Sequence, residues 1–209
     1  MIKEQEAIGP WYESDYEGSM TFEAFVDLTA QLHAQGLTTG NVQNEMMMKY
    51  SLLGEQRLSR LIKTQKLDDR LVSMMSALPD HYTILVITEA WCGDGPFGIV
   101  IFELLARLCT NVTTRYVLRD DNPALMDAFH TDGGSAIPIA ICIDSKGQFV
   151  WRWGPRPKPV QERIKAYKSD PNPTMSYEDL IVENQKWYNN DKGVTAQNEV
   201  MRLIEKMVC

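Results

Sequence analysis

Apolar residues along this chain change their spacing twice. Up to about Leu78 they recur at helical intervals, from Tyr82 they gather into short runs, and after Trp153 the helical spacing returns. Thr21 caps a segment that puts Phe22, Phe25, Val26, Thr29 and Leu32 on one face and ends before Gly36. A second helical run covers Glu45 to Lys66, with Met47, Tyr50, Leu58, Leu61 and Ile62 apolar. Asp68 opens a third helix, which Pro79 stops.

The middle of the chain alternates β and α patterns. Tyr82 to Thr88 reads as a buried strand, Pro96 to Cys109 as a helix and Val112 to Leu118 as a second strand. Asn122-Pro123 supplies a cap and first helical position for a short helix ending near His130. Gly133-Gly134 breaks the chain before the strand Ile139 to Ile143, and Asp144-Ser145-Lys146-Gly147 turns it back into the strand Gln148 to Trp153. Strands without a polar face call for a central sheet with helices on both sides, an α/β architecture. The remainder predicts helices at Val160 to Tyr167, from Ser176, and from about Thr195 to Met207, one of which closes the sheet.

Composition narrows the function classes. The apolar fraction is 44%, enough to build a core, and the net charge of −7 argues against nucleic acid. The polar start Met1-Ile2-Lys3-Glu4-Gln5-Glu6 lacks an apolar stretch, so neither a signal peptide nor a membrane span is expected. Cys92, Cys109, Cys142 and Cys209 have no disulfide-framework or zinc spacing, and no metal or cofactor is expected. The expected setting is the reducing cytoplasm.

Chemistry concentrates at Cys92. In Glu89-Ala90-Trp91-Cys92-Gly93-Asp94-Gly95-Pro96 the strand ends and a helix begins. Unpaired N–H groups and the helix dipole stabilise a thiolate there, lowering a thiol pKa from about 8.5 to roughly 3.5–7.5. Asp94 opposes this by charge, or caps the helix instead. Cys109 falls at the far end of the same helix, Cys142 reads as a buried small hydrophobe, and terminal Cys209 is expected to fray. Arg57, Arg60 and Lys63 make a basic stripe, read as a solvated face or a pairing with Asp120 and Asp121. His33 and His81 have no metal-ligand partner at sequence spacing.

Trp91-Cys92-Gly93 after a buried strand resembles the active-site turn of the thioredoxin family, and the element order is similar to the thioredoxin fold. The stretches Val86 to Asp94, Leu118 to Asn122, Ile137-Pro138 and Trp153-Gly154-Pro155-Arg156-Pro157 together look like a bacterial thioredoxin-like group with an N-terminal helical extension. The resemblance implies a helical extension at 1–79, a thioredoxin-like core at 80–167 and a C-terminal helical segment at 168–209. It also implies a sheet in the order 2-1-3-4 and a cis peptide at Ile137-Pro138, beside the cysteine. Thioredoxins carry a second cysteine where this chain has Gly95, and a buried Asp where it has Val86. Members of the narrower group commonly lack that second cysteine.

Two functions follow from the resemblance. One is a monothiol thiol–disulfide oxidoreductase: Cys92 attacks a disulfide-containing or glutathionylated protein, and a small thiol such as glutathione resolves the product. The other is a non-catalytic peptide-binding module, with an iron–sulfur or glutathione binder behind both. The substrate groove would comprise Trp91, Gly93, Asp94, Gly95, Ile137 and Pro138. Arg156 would bind a carboxylate, or form a salt bridge to the helical additions.

Overall fold

The computed structural model describes residues 1–207; Cys209 lies outside them. Helices α1 (Ile2–Glu13), α2 (Phe22–Ala34), α3 (Glu45–Thr64) and α4 (Asp69–Ser76) precede the sheet. Strand β1 (Tyr82–Thr88) leads through α5 (Gly95–Leu108) to β2 (Val112–Leu118), and α6 (Pro123–Ala128) leads to the hairpin β3 (Ile139–Ile143) and β4 (Phe149–Trp153). Helices α7 (Lys158–Ser169), α8 (Tyr177–Asp191) and α9 (Val194–Glu205) follow. Side chains start several of these helices: Thr21 accepts the Ala24 N–H, Asn44 that of Met47, Asp68 that of Arg70 and Ser176 that of Asp179. Such caps each stabilise a helix by about 0.5–2 kcal/mol.

The sheet is mixed, in the order β2-β1-β3-β4. Strand β1 runs parallel to β2 and antiparallel to β3, and β3 runs antiparallel to β4. This is the α/β thioredoxin-like architecture with helical additions. Strand β1 is buried along its whole length because both faces are covered. Ile84 and Val86 enter a core with residues of α2, α3, α4, α5 and α9, while Leu85 and Ile87 enter a second core with Ile8 of α1 and Leu125 and Met126 of α6. Each fully buried aliphatic side chain stabilises the fold by about 1.5–3 kcal/mol.

Three features escape the sequence pattern. Helix α1 is one: it offers Ile8 as a fully buried side chain and contains Pro10, so its periodicity is weak. Its polar side chains grip the β3–β4 hairpin. Gln5 donates to the Gly147 carbonyl at 2.8 Å and accepts the Phe149 N–H at 2.7 Å, and Tyr12 donates to the Ser145 carbonyl at 2.7 Å. The closing helix is the second: α9, the last in the chain, packs on β4 and α4. Third, His33 gains a carboxylate from a neighbouring helix. Its Nδ1 lies 2.6 Å from Glu55 Oε2 and its Nε2 2.7 Å from Ser51 Oγ. Ser51 is wholly buried in mid-helix, so this relay serves as a strut between α2 and α3.

Candidate functional site

The site is a tight turn between β1 and α5. The Cys92 N–H donates to the Glu89 carbonyl at 3.1 Å and the Gly95 N–H to the Cys92 carbonyl at 3.2 Å, and Pro96 occupies the first turn of α5. Cys92 Sγ therefore lies at the start of the helix. Its thiol donates to the Ile137 carbonyl at 3.3 Å, immediately before Pro138. The Ile137–Pro138 peptide is cis. Glycine brings α5 close to this loop: a Cβ on Gly98 would lie 2.8 Å from the Trp153 ring and 3.2 Å from Pro138.

Burial overrides the helix terminus. Cys92 is 6% exposed. Its pKa is pushed up to about 12, first by burial and then by the Asp94 charge, with the Asp94 and Gly95 N–H groups and Arg156 opposing. The expected low-pKa thiolate is therefore absent from this conformation. The donors are in place, but they do not offset the removal of a thiolate from water.

Asp94 does not cap α5 with its side chain. Its Oδ2 accepts from Arg156 Nε at 2.6 Å and its Oδ1 from the Tyr188 hydroxyl at 3.0 Å. The Arg156 salt bridge thus runs to the cysteine turn itself, neither to the helical additions nor to an open carboxylate site. Arg156 also donates to Gln161 at 3.1 Å. Of the two readings of the basic stripe, the pairing with Asp120 and Asp121 does not form; Arg60 and Lys63 are exposed and Arg57 is half-buried. Asp120 takes Arg119 and the Asn41 N–H instead, while Arg60 donates to Asn189.

Helices far away in sequence cover the turn. Gln185 of α8 donates to the Gly93 carbonyl at 3.3 Å. The Tyr188 ring stacks on Phe97, with centroids 4.1 Å apart and planes 6° from parallel. From α3, Gly54 lies so close that a Cβ would sit 2.6 Å from the Ala90 carbonyl oxygen. Trp91 carries the Arg119 guanidinium 4.7 Å above its ring. Beside it, Gly40 (φ +82°) leaves room where a Cβ would meet Trp91 Nε1 at 2.9 Å. Gly95 and Pro138 are buried, and Gly93 and Asp94 half-buried. The structure thus assembles Trp91, Cys92, Gly93, Asp94, Gly95, Ile137, Pro138 and Arg156 into one covered cluster.

Glu89, Gln185 and Tyr188 were not singled out from the sequence. Glu89 is buried and accepts the Asp120 N–H at 3.0 Å, and burial raises its pKa. Its signal was a carboxylate closing an apolar run. Gln185 and Tyr188 had none, since only folding brings α8 to the turn. Behind the turn, a cavity of about 240 Å³ between α2, α3 and α5 is lined by residues including Phe25, Leu58, Ile62, Pro96 and Ile99. Among the described residues, no three His, Cys, Asp or Glu side chains gather as a metal site would require. No described helix is long and apolar enough to cross a membrane.

A family model described as thioredoxin matches residues 40–168. The chain belongs to this thioredoxin family. The match starts at Gly40 and takes in α3, so it includes a covering helix as well as the sheet. Two solved structures have the same fold at a TM-score of 0.50, each covering 90% of this chain and 99% of its own. One is a protein of unknown function from Pseudomonas aeruginosa, 17% identical, and the other an HIV epitope scaffold, 16% identical. No curated protein matches the chain. In this thioredoxin-family chain, Gly95 leaves Cys92 without a thiol partner in its own turn. Cys109 faces Ser76 and the Val72 carbonyl at the other end of α5, and Cys142 is buried within β3.

Proposed function

We propose that this thioredoxin-family protein is a monothiol disulfide-exchange protein, with Cys92 as the single reacting group and an external thiol as the resolving group. One observation carries the reading: Cys92 Sγ lies at the start of α5 beside the Ile137 carbonyl, while Cys109 faces Ser76 at the other end of α5 and Cys142 is buried within β3. The ionised Cys92 sulfur attacks one sulfur of a disulfide, forming a mixed disulfide and releasing the other half as a thiolate that takes up a proton. A second small thiol such as glutathione then attacks the mixed disulfide. It leaves as a new disulfide with the captured half, and Cys92 returns to a thiol. Disulfide-containing or glutathionylated proteins of a reducing cytoplasm are the expected substrates.

The burial of Cys92 favours a second reading, a thioredoxin-fold binding module without turnover. One experiment separates the two. The protein is incubated with glutathione disulfide, peptide-mapped by mass spectrometry, and treated with fresh reduced glutathione. Exchange requires a glutathionyl group on Cys92 that reduced glutathione removes. A Cys92 that iodoacetamide alkylates but glutathione disulfide never modifies leaves the binding module as the better account.

A further inference from the structure

We propose that α8 is a displaceable lid over Cys92, and that the disulfide admitted beneath it is anionic, selected by Arg57 beside the cysteine turn. The disulfide part rests on the monothiol reading above; the lid and the charge preference do not.

The lid follows from how α8 is held. It is reached through 170–176, a segment exposed throughout that contains Pro171 and Pro173. It leaves through Lys192 and Gly193, both in the left-handed region at φ 54° and 76°. Leu180, Asn184 and Tyr188 are its buried residues, and Met175, Tyr177 and Val182 around it are exposed. Its hold is mainly polar: Tyr188 donates to Asp94 and Gln185 to the Gly93 carbonyl of the turn, Asn189 accepts from Arg60 of α3, and the Tyr188–Phe97 stack is the aromatic contact. Asn184 Nδ2 is buried without a partner, which weakens the seal. Polar contacts exchange readily for water, whereas a segment with many buried apolar groups opens only with the fold.

The charge preference follows from Arg57. Its Nη1 lies 4.0 Å from the position of a Cβ on Gly93. It is half-buried, and among the described residues it forms neither an ion pair nor a hydrogen bond. A half-buried guanidinium without an acceptor is unusual, because removing it from water has a cost that a bound carboxylate would offset. Displacing α8 also frees Arg60 from Asn189. The opened site then presents Arg57 beside the cysteine turn, while Arg156 and Asp94 stay paired to each other. An anionic disulfide finds complementary charge there, while a cationic one meets like charge.

Peptide-resolved alkylation of the intact protein tests both parts. Cys142, fully buried in β3, is an internal reference for global unfolding. In native buffer iodoacetamide should label Cys92 at least tenfold faster than Cys142, with a weaker urea dependence. Equal rates and equal urea slopes would show that Cys92 is reached only by unfolding, and the lid would be wrong. For the charge preference, the iodoacetate-to-iodoacetamide rate ratio is measured at Cys92 and at 2-mercaptoethanol, a neutral free thiol. The Cys92 ratio should be about threefold higher, and fall to the free-thiol value in Arg57→Gln and in high salt. Because it compares two reagents on one protein, it is independent of how often the lid opens. A ratio no higher than that of the free thiol, or one unmoved by Arg57→Gln, would overturn the selection. If both parts hold but glutathione disulfide leaves Cys92 untouched, it is the exchange reading that fails.

Discussion

Cys92 and Cys142 are buried to a similar degree, 6% and 0% exposed, by two differently built regions. Cys142 lies in β3, in register with Ile84 of β1, among the apolar side chains of the larger core. Cys92 lies at the end of the sheet in the smaller core, and α8 holds its neighbours Gly93, Asp94 and Phe97 through two hydrogen bonds and one aromatic stack. Both thiols have a raised pKa with burial as the first cause. The difference lies in what must move to expose them. Burial by a packed core is as persistent as the fold, whereas the cover that α8 adds over the cysteine turn is as persistent as its polar strap.

The largest expected effect breaks the comparison on the Cys142 side. Ile84→Ala should destabilise the protein by about 2–5 kcal/mol, measured by urea denaturation. Cys142 alkylation should rise with the global unfolding constant, while Cys92 alkylation stays nearly constant, because Ile84 remains packed when only α8 lifts. Matched increases at the two cysteines would mean that they share one opening event.

The second effect uses pH. With its pKa near 12, Cys92 stays protonated in the closed form. Its alkylation should climb about tenfold per pH unit from about pH 7 to 10 without levelling off, whereas a free thiol levels off above about 8.5. The stability linkage has a definite sign. The folded-state pKa is raised above the unfolded value, so the contribution is complete below about pH 8.5 and is lost as pH rises from there toward 12. A plateau near pH 8.5 would place the thiol in water.

Tyr188→Phe gives a smaller effect and sharpens the comparison from the lid side. The ring can still stack on Phe97, but the hydroxyl bond to the Asp94 carboxylate is lost. Hydrogen bonds to charged groups contribute about 1.5–3 kcal/mol, so Cys92 alkylation should rise about tenfold. Cys142 alkylation should rise by no more than that factor. A lid bond is lost in both openings, a core contact only in the global one. No change at Cys92 would show that the hydroxyl does not hold α8.

The smallest effect on stability is expected from Gly95→Cys. A Cβ there would lie 3.5 Å from the Cys92 Cβ, at the lower edge of disulfide geometry, and 3.3 Å from Thr88 Oγ1. Oxidation should join the two thiols, read as a loss of two alkylatable sulfurs by mass spectrometry. The loop closed is very short, so little stability is gained. Failure to bridge would mean that Thr88 does not yield.

Much of the fold was legible in the sequence because burial on both faces leaves few alternatives for a run such as Tyr82 to Thr88. The hairpin at Asp144 to Gly147 and the caps at Thr21, Asp68 and Ser176 were equally plain, since each depends on residues within a few positions. Helix α1 was not legible, because its hold on the hairpin runs through Gln5 and Tyr12, whose partners lie more than a hundred residues away. The turn at Cys92 could be located but not characterised. Its helix terminus predicts a thiolate, and the burial that outweighs it comes with membership of the smaller core, among Leu85, Ile87, Ile137 and Ile139. Arg156 was read as a carboxylate binder or as a salt bridge to the helical additions, because nothing local reveals that Asp94 holds it.

The sequence by itself determined the order of strands and helices from α2 onward, the position of a lone cysteine at a strand-to-helix turn, and the missing partner at Gly95. These follow from side-chain periodicity and chemistry over short stretches of chain. The tertiary structure decided that Cys92 is covered, that Asp94 is shared between Arg156 and Tyr188, and that Arg57 stands beside the turn without a partner among the described residues. Solvation and charge pairing depend on which distant segments arrive at a site. The energies of a thiol and an arginine are therefore set by neighbours that local pattern does not encode.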